Sequence, residues 1–377
     1  MHLYVHVPFC ARRCSYCDFA IAVRREVPSD AFAAQLLGEW EEWRRSDRFD
    51  PVTLLATIYF GGGTPSRLSA DAIARIIAQV ATDRPLIPGA EVTLEANPED
   101  VTPVAARAWA ASGVNRVSLG VQSFDPAVLG WMHRTHTEAD VPRAVAALRD
   151  AGIANLSLDL IYALPEALHR DWGRDLDQAL ALGPDHLSLY GLTVEPRTPL
   201  GHWVERGSAV PSPDERYAHE FLLADERLGA AGFEHYEVSN YARPGRRAVH
   251  NSAYWRRAPY LGLGPSAHSA SGALRWWNRR EWTDWSRALE AGQGAVAGEE
   301  RLEPSAVALE DLYLGLRTTE GLAAERLQGE RAQQWAAAGW ATIRGGRVLL
   351  TAEGWLRLDA LVAQAAGDSH HGVIDSS

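Results

Sequence analysis

The chain has 377 residues, 46% of them hydrophobic, enough for a large domain plus a small one around a sizeable core. Its formal net charge of −11 and sequence pI near 5.6 argue against a general nucleic-acid-binding surface. No uninterrupted apolar run reaches the roughly 18–20 residues of a membrane-spanning helix. The opening residues read as a strand rather than a signal peptide, so a reducing, cytoplasmic location is expected.

Taken in chain order, short apolar segments alternate with longer amphipathic ones. Strands are expected over 3–7, 55–60, 91–96, 116–121, 156–162 and 186–192, with helices over 30–45, 70–80, 103–111, 141–151 and 172–182 between them. Ser69 and Thr102 stand where N-caps belong, and helices stop just before Gly113, Gly152 and Gly183. Repeated βα units imply parallel strands with right-handed crossovers. Six units are too few to close an eight-stranded barrel, so an open, partial barrel is expected. From 195 to 290 the chain turns rich in Pro, Gly, Trp and Arg, with a helix expected over 213–231. Gly292-Gln293-Gly294-Ala295 reads as a linker. Beyond it, helices are expected over 304–327, 331–338 and 351–365, around a hairpin-like pair at 340–344 and 347–350 turned by Gly345-Gly346. The resulting divisions are 1–200, 201–292 and 293–366, followed by a disordered tail at 367–377.

All three cysteines lie in Cys10-Ala11-Arg12-Arg13-Cys14-Ser15-Tyr16-Cys17, a C-x3-C-x2-C spacing with no further cysteine in the chain. Thiolates crowded like this hold either a structural zinc or an iron–sulfur cluster. A closed zinc site needs a fourth ligand, for which His6 is the nearby substitute. A [4Fe–4S] cluster on three thiolates instead keeps one iron open for a small molecule. Further candidates end the expected strands, at the rim where barrel active sites gather. They are Gly61-Gly62-Gly63-Thr64-Pro65, Glu95, Gln122 with Arg134 beyond it, and Asp159. Successive glycines let a backbone approach a ligand with no Cβ in the way, and a carboxylate accepts paired ribose hydroxyls. Each could equally be a tight turn, a surface polar residue or a strand-end cap.

In their joint order these motifs resemble the radical S-adenosylmethionine (SAM) superfamily, and within it the oxygen-independent coproporphyrinogen III oxidase-like group, over about residues 2–365. The resemblance implies an α/β fold: a partial (β/α)6 radical SAM barrel with a small C-terminal helical, winged-helix-like domain. It implies that Cys10, Cys14 and Cys17 bind three irons of a [4Fe–4S] cluster while SAM chelates the fourth. It implies that Tyr4, Glu95 and the Gly61-Gly62-Gly63-Thr64 loop contact SAM. Tyr16 would stack near the adenine, or simply pack the loop. Gln122, Arg134 and Asp159 match positions that border a second SAM site in the oxidases. Reduction of the cluster would cleave SAM to methionine and a hydrogen-abstracting 5′-deoxyadenosyl radical.

Two departures separate the chain from the oxidases. Phe19 stands where they carry a fourth cysteine, and Tyr4 lies almost at the start, with no long arm before it. Both point to a sister branch of haem chaperones, the HemW type, whose H-N-x-x-Y-W mark is similar to His250-Asn251-Ser252-Ala253-Tyr254-Trp255. Histidine can ligate haem iron and aromatic rings can pack on the macrocycle, although composition alone makes such a histidine a hydrogen-bonded structural residue. His268 is a second candidate ligand. Trp276-Trp277 and the arginines around them could meet porphyrin rings and propionates, or be core and surface. The resemblance therefore implies a carrier that delivers haem to respiratory or other haem proteins. The alternative is an enzyme that decarboxylates two propionates of coproporphyrinogen III to vinyl groups. A homodimer, and a peripheral membrane contact through a protein partner, stay open.

Overall fold

The computed structural model describes residues 1–46, 48 and 54–371. Six parallel strands stand side by side in chain order: β1 (His2–Val7), β2 (Leu55–Gly62), β3 (Leu86–Ala96), β4 (Arg116–Gln122), β5 (Asn155–Tyr162) and β6 (His186–Gly191). Between them run the helices Ser29–Arg44, Ala70–Asp83, Pro103–Ala111, Asp140–Asp150 and Trp172–Ala181, as the alternation predicts. Ser69, Thr102 and Asp171 cap three of these by accepting from the backbone N–H groups of Ala72, Ala105 and Arg174.

The strands are buried on both faces, with opposite chemistry on each. In β4, Val117, Leu119 and Val121 enter the apolar core, while Arg116, Ser118, Gly120 and Gln122 alternate with them. In β5, Leu156, Leu158 and Leu160 enter the core and Ser157 and Asp159 alternate. The alternating residues join across strands: Ser118 Oγ donates to Asp159 at 2.9 Å, Ser157 Oγ bonds His186 Nδ1 at 2.8 Å, and Tyr59 OH donates to Glu95 Oε1 at 2.8 Å. The inner face of the sheet is thus a polar network rather than a hydrocarbon layer, although Thr93 Oγ1 and Arg116 Nε have no hydrogen-bond partner in it among the described residues.

The sheet does not end at six strands. Tyr260–Leu263 adds in parallel beside β1, followed antiparallel by His268–Ser271, Leu274–Asn278 and Val296–Arg301. At the other edge, Asn240–Ala242 and Glu234–Glu237 continue from β6. The result is an open sheet of twelve strands among the described residues. None of the added strands exceeds six residues, too short to display a periodicity.

Three boundaries differ from expectation. The linker at 292–295 is a turn within the large sheet, because Val296–Arg301 pairs with Leu274–Asn278 beyond it. Gly292 and Gly294 take positive φ there, so turn chemistry had imitated linker composition. The helix expected to reach 327 stops as Pro304–Leu316, and Thr318 instead bridges Glu237 of the large sheet. The last helix is two, Ala352–Trp355 and Leu358–His371, and the second enters the expected disordered tail. Residues 372–377 of that tail lie outside the described residues.

The C-terminal module consists of these helices and Arg331–Ala337 around a small antiparallel sheet, in which Arg347–Leu350 lies between Leu322–Ala323 and Ala341–Arg344. It docks on the far edge of the large sheet through the Arg317–Glu237 ion pair at 2.9 Å and the edge of Trp355 against His235. No helix among the described residues is long and apolar enough to cross a membrane.

One buried carboxylate fastens the added strands to the barrel. Glu39, fully buried in Ser29–Arg44, accepts from Gly264 N and Trp285 Nε1 on Oε2 and from Asn278 Nδ2 on Oε1, at 2.9, 3.0 and 2.6 Å. Burial pushes its pKa up to about 8 against an ordinary 4.5, although the three hydrogen bonds pull the other way. Between those values the unfolded chain releases a proton that the folded chain keeps, so this group lowers stability as pH rises from about 4.5 to about 8. Glu39→Gln is expected to gain Tm relative to the wild type over that window. A constant difference in Tm would mean that Glu39 is ionised throughout.

Candidate cofactor site and an adjoining cavity

The parity of the strands carries Glu95, Gln122 and Asp159 to one rim. β2 runs out into Gly61-Gly62-Gly63-Thr64, where side chains would obstruct the thiol loop. A Cβ at Gly63 would lie 2.8 Å from the Pro8 backbone and 3.0 Å from Cys10 Sγ, and one at Gly62 would lie 2.6 Å from the His6 ring. Gly62 also sits at φ 111°, a region that glycine enters without strain. Thr64 Oγ1 donates to Cys10 Sγ at 3.4 Å.

Around this loop lies a cavity of about 460 Å³. Its walls include Cys10, Cys14, Tyr16, Cys17, Gly62, Gly63, Thr64, Glu95, Gln122, Arg134 and Asp159. Eleven of the residues singled out from sequence therefore meet around one space. Gly61 lies one layer deeper, where a Cβ would come within 3.1 Å of Tyr4, Tyr59 and Glu95. Gln122 is held at φ 67° beside an irregularity in the β4–β5 register, which turns the end of the strand. Arg134 spans the floor, with Nη2 donating to Asn97 Oδ1 at 2.6 Å and Gly120 O at 2.7 Å, and Nη1 lying 3.7 Å from Cys14 Sγ.

The electrostatics suit a ligand that brings charge and hydrogen bonds with it. Burial pushes the Cys17 thiol up to about 11 and raises Cys10 as well, so a bound cation would be needed to draw these two into their thiolate forms. Burial likewise raises Glu95 to about 7, against the pull of Tyr59 OH and Gly62 N–H, which donate to its two oxygens. Asp159 is raised for the same first reason, opposed by Ser118. Arg134 Nε is buried with no hydrogen-bond partner among the described residues, a donor left for a guest. All three cysteines are free of disulfides. Three thiols, a glycine backbone pressed against them and an unpartnered guanidinium nitrogen fit an iron–sulfur cluster together with a small polar ligand. Cys10, Cys14 and Cys17 are the residues that could hold the metal.

The H-N-x-x-Y-W residues lie elsewhere. They form the helix Val249–Trp255, whose first turn is capped by Glu91 of β3, accepting from Val249 N and His250 N at 3.0 Å each. His250 is buried and both ring nitrogens are occupied, Nδ1 by Thr57 Oγ1 at 2.6 Å and Nε2 by Tyr254 OH at 2.7 Å. Its ring stacks on Tyr59. No lone pair faces open space, so His250 positions its neighbours here rather than presenting a metal ligand. Asn251 lines neither cavity.

Tyr254 and Trp255 do reach a cavity, of about 550 Å³, together with Tyr4, His6, Phe19, Tyr260, Arg257, His268, Arg275 and Arg280. Asp18, Phe19 and Gly62 line both spaces, so the two adjoin at the thiol loop. Tyr4 thus faces the second cavity rather than the first, its OH bonded to His6 Nδ1 at 3.2 Å. Trp276 is fully buried and belongs to the core. Sequence reasoning passed over Thr57, Tyr59, Glu91, Asn97 and Ser118, which hold the named residues in place; the period-two polarity of β2, β3 and β4 was the signal available.

An open parallel barrel with three unpaired thiols and a glycine loop at its C-terminal rim defines a radical SAM protein. The family model described as the radical SAM superfamily matches residues 4–179. A haem chaperone HemW from Mycobacterium tuberculosis is 39% identical over 97% of this chain and 94% of its own length. The HemW of Escherichia coli is 38% identical over 71% of this chain and 69% of its own. The chain belongs to the HemW family of the radical SAM superfamily. A solved structure of the coproporphyrinogen III oxidase HemN from Escherichia coli superposes with a TM-score of 0.77, covering 98% of this chain and 90% of that one at 21% identity, which establishes a common fold.

The tightness of the glycine loop is testable without any ligand. Gly63→Ala forces a Cβ into the Pro8 backbone and is expected to cost about 1–3 kcal/mol in denaturant unfolding. Gly130→Ala, a helical site with nothing within 4 Å, serves as the control and is expected to be neutral or stabilising. Equal stability of the two variants would mean that the thiol loop yields freely.

Proposed function

We propose that this protein is a haem chaperone that binds haem and passes it to haem-dependent proteins, respiratory ones among them, in a reducing cytoplasm. The observation that carries this reading is the 39% identity to a haem chaperone over 97% of the chain. That span includes the thiol loop, the Val249–Trp255 helix and the C-terminal module. Phe19 supports it from the sequence side, since it removes a cysteine that the resemblance assigns to the oxidases.

On this reading Cys10, Cys14 and Cys17 hold a [4Fe–4S] cluster. The glycine loop, Glu95 and Tyr16 would hold SAM beside that cluster, and Gln122, Arg134 and Asp159 would meet the remainder of the ligand. When bound, that pair supplies one-electron reductive cleavage of the sulfonium. The chain's own part is to orient and to exclude water. Glu95, whose pKa burial raises to about 7, would gain from ribose hydroxyls donated to its carboxylate. Arg134 neutralises charge beside Cys14. The retention of this whole constellation is what favours the second reading, oxidation of coproporphyrinogen III, with SAM cleavage as its first step.

Three measurements test this account of the site, and the second separates the two readings. Cys14→Ser is expected to abolish the iron–sulfur absorption of anaerobically reconstituted protein; an unchanged spectrum with zinc by metal analysis would contradict the cluster. With the wild type, a stoichiometric Soret band on adding haem and no protoporphyrinogen from coproporphyrinogen III, SAM and reductant are expected. Porphyrinogen conversion would overturn the chaperone reading. His250→Ala is expected to weaken haem binding several-fold through the loss of its grip on Tyr254, with the iron ligation spectrum unchanged.

A further inference from the structure

The second cavity carries chemistry that the H-N-x-x-Y-W helix does not explain. At about 550 Å³ it falls in the roughly 300–1,000 Å³ range of small-molecule and cofactor sites. Aromatic rings line it from three directions: Tyr254 and Trp255 from the helix, Tyr260 from the strand beside β1, and Phe19 from the thiol loop. Phe19 is 58% exposed, so its ring is open to a guest in this space. Three guanidiniums, Arg257, Arg275 and Arg280, share the same walls. Flat apolar surface next to paired cations is what a planar macrocycle with two carboxylates requires.

Two histidines line this space, and they differ in what they have to offer. The His6 ring is buried and committed, with Nδ1 on Tyr4 OH and Nε2 on Ala20 O at 3.0 Å. His268 is exposed at the start of its strand. Its ring lies against the cross-strand Trp277 at a tilt of 30° and has no hydrogen-bond partner among the described residues. Desolvation lowers its pKa below 6.5, which keeps the imidazole neutral and its lone pair free at neutral pH.

The cations are already answered by carboxylates of the C-terminal module. Glu310, on Pro304–Leu316, reaches Arg257 Nε and Arg275 Nη2 at 2.6 Å each, and Asp311 accepts from Arg257 Nη1 at 2.7 Å. One oxygen of Glu310 is shared by both guanidiniums, which places the two cations side by side at the cavity wall. A ligand's carboxylates would compete with Glu310 for them.

We infer that this cavity is the haem site, with His268 as the axial iron ligand, Phe19 and Trp255 on the macrocycle, and Arg257 and Arg275 taking the propionates in place of Glu310. The inference rests on the haem-chaperone reading and assigns its cargo to residues outside the H-N-x-x-Y-W histidine.

The test uses the full-length chain with its cluster reconstituted, titrated with haem and followed by Soret absorption and resonance Raman. His268→Ala is expected to lower haem affinity at least tenfold and to remove the histidine–iron signature, and added imidazole is expected to restore that signature. Arg275→Gln is expected to weaken binding several-fold without altering the ligation spectrum. The iron–sulfur absorption, unchanged in both variants, reports that they are folded. Wild-type affinity and ligation in His268→Ala would overturn this assignment while leaving the chaperone reading intact. Failure of the wild-type chain itself to bind haem would overturn that reading, and the assignment with it.

Discussion

The organisation of this protein depends on the parity of its parallel strands. Alternate residues of β1–β6 point to opposite faces, and here one face is hydrocarbon and the other polar. Parallel strands covered on both sides ordinarily read as continuous apolar runs. In this chain Ser118, Ser157, Asp159 and His186 interrupt those runs, at a desolvation cost that a connected hydrogen-bond network offsets, and the buried Arg116 interrupts them beside the Glu91 carboxylate. The benefit is positional. The same parity that buries Ser118 and Ser157 brings Glu95, Gln122 and Asp159 to the rim around the thiol loop. A one-residue slip in any strand would turn its site residue into the helix layer.

Carboxylates tie the remaining pieces to this frame. Glu39 binds the strands after Tyr260 to the first helix, Glu91 caps the helix of His250, and Glu237 receives Arg317 of the C-terminal module. Glu310 is the fourth, and it differs from the others in being part-exposed and in facing a cavity rather than filling a socket. The module is therefore held firmly at Glu237 and through an exchangeable contact at Glu310.

Much of this was legible in the sequence. The βα alternation produced all six barrel strands to within a few residues, because long amphipathic helices and apolar strands differ strongly in period. The cysteine spacing and the glycine loop located the cavity, since few other chemistries use those residues at that interval. The short strands from Glu234 to Arg301 were not legible: three to six residues dense in Trp, Arg and Gly carry no period. His250 shows the other limit. A motif gives a residue's importance but not the direction of its side chain, and only the positions of Thr57 and Tyr254 reveal that both ring nitrogens are already bound.

On the proposed function, the three thiols and the glycine loop form one site that would hold a cluster and SAM together. Electron paramagnetic resonance of the reduced, reconstituted protein tests it directly, with SAM added to the wild type and to Glu95→Ala. A cluster signal whose g-values shift when SAM is added to the wild type is expected, with a shift that needs far more SAM in Glu95→Ala. A cluster signal indifferent to saturating SAM would contradict it.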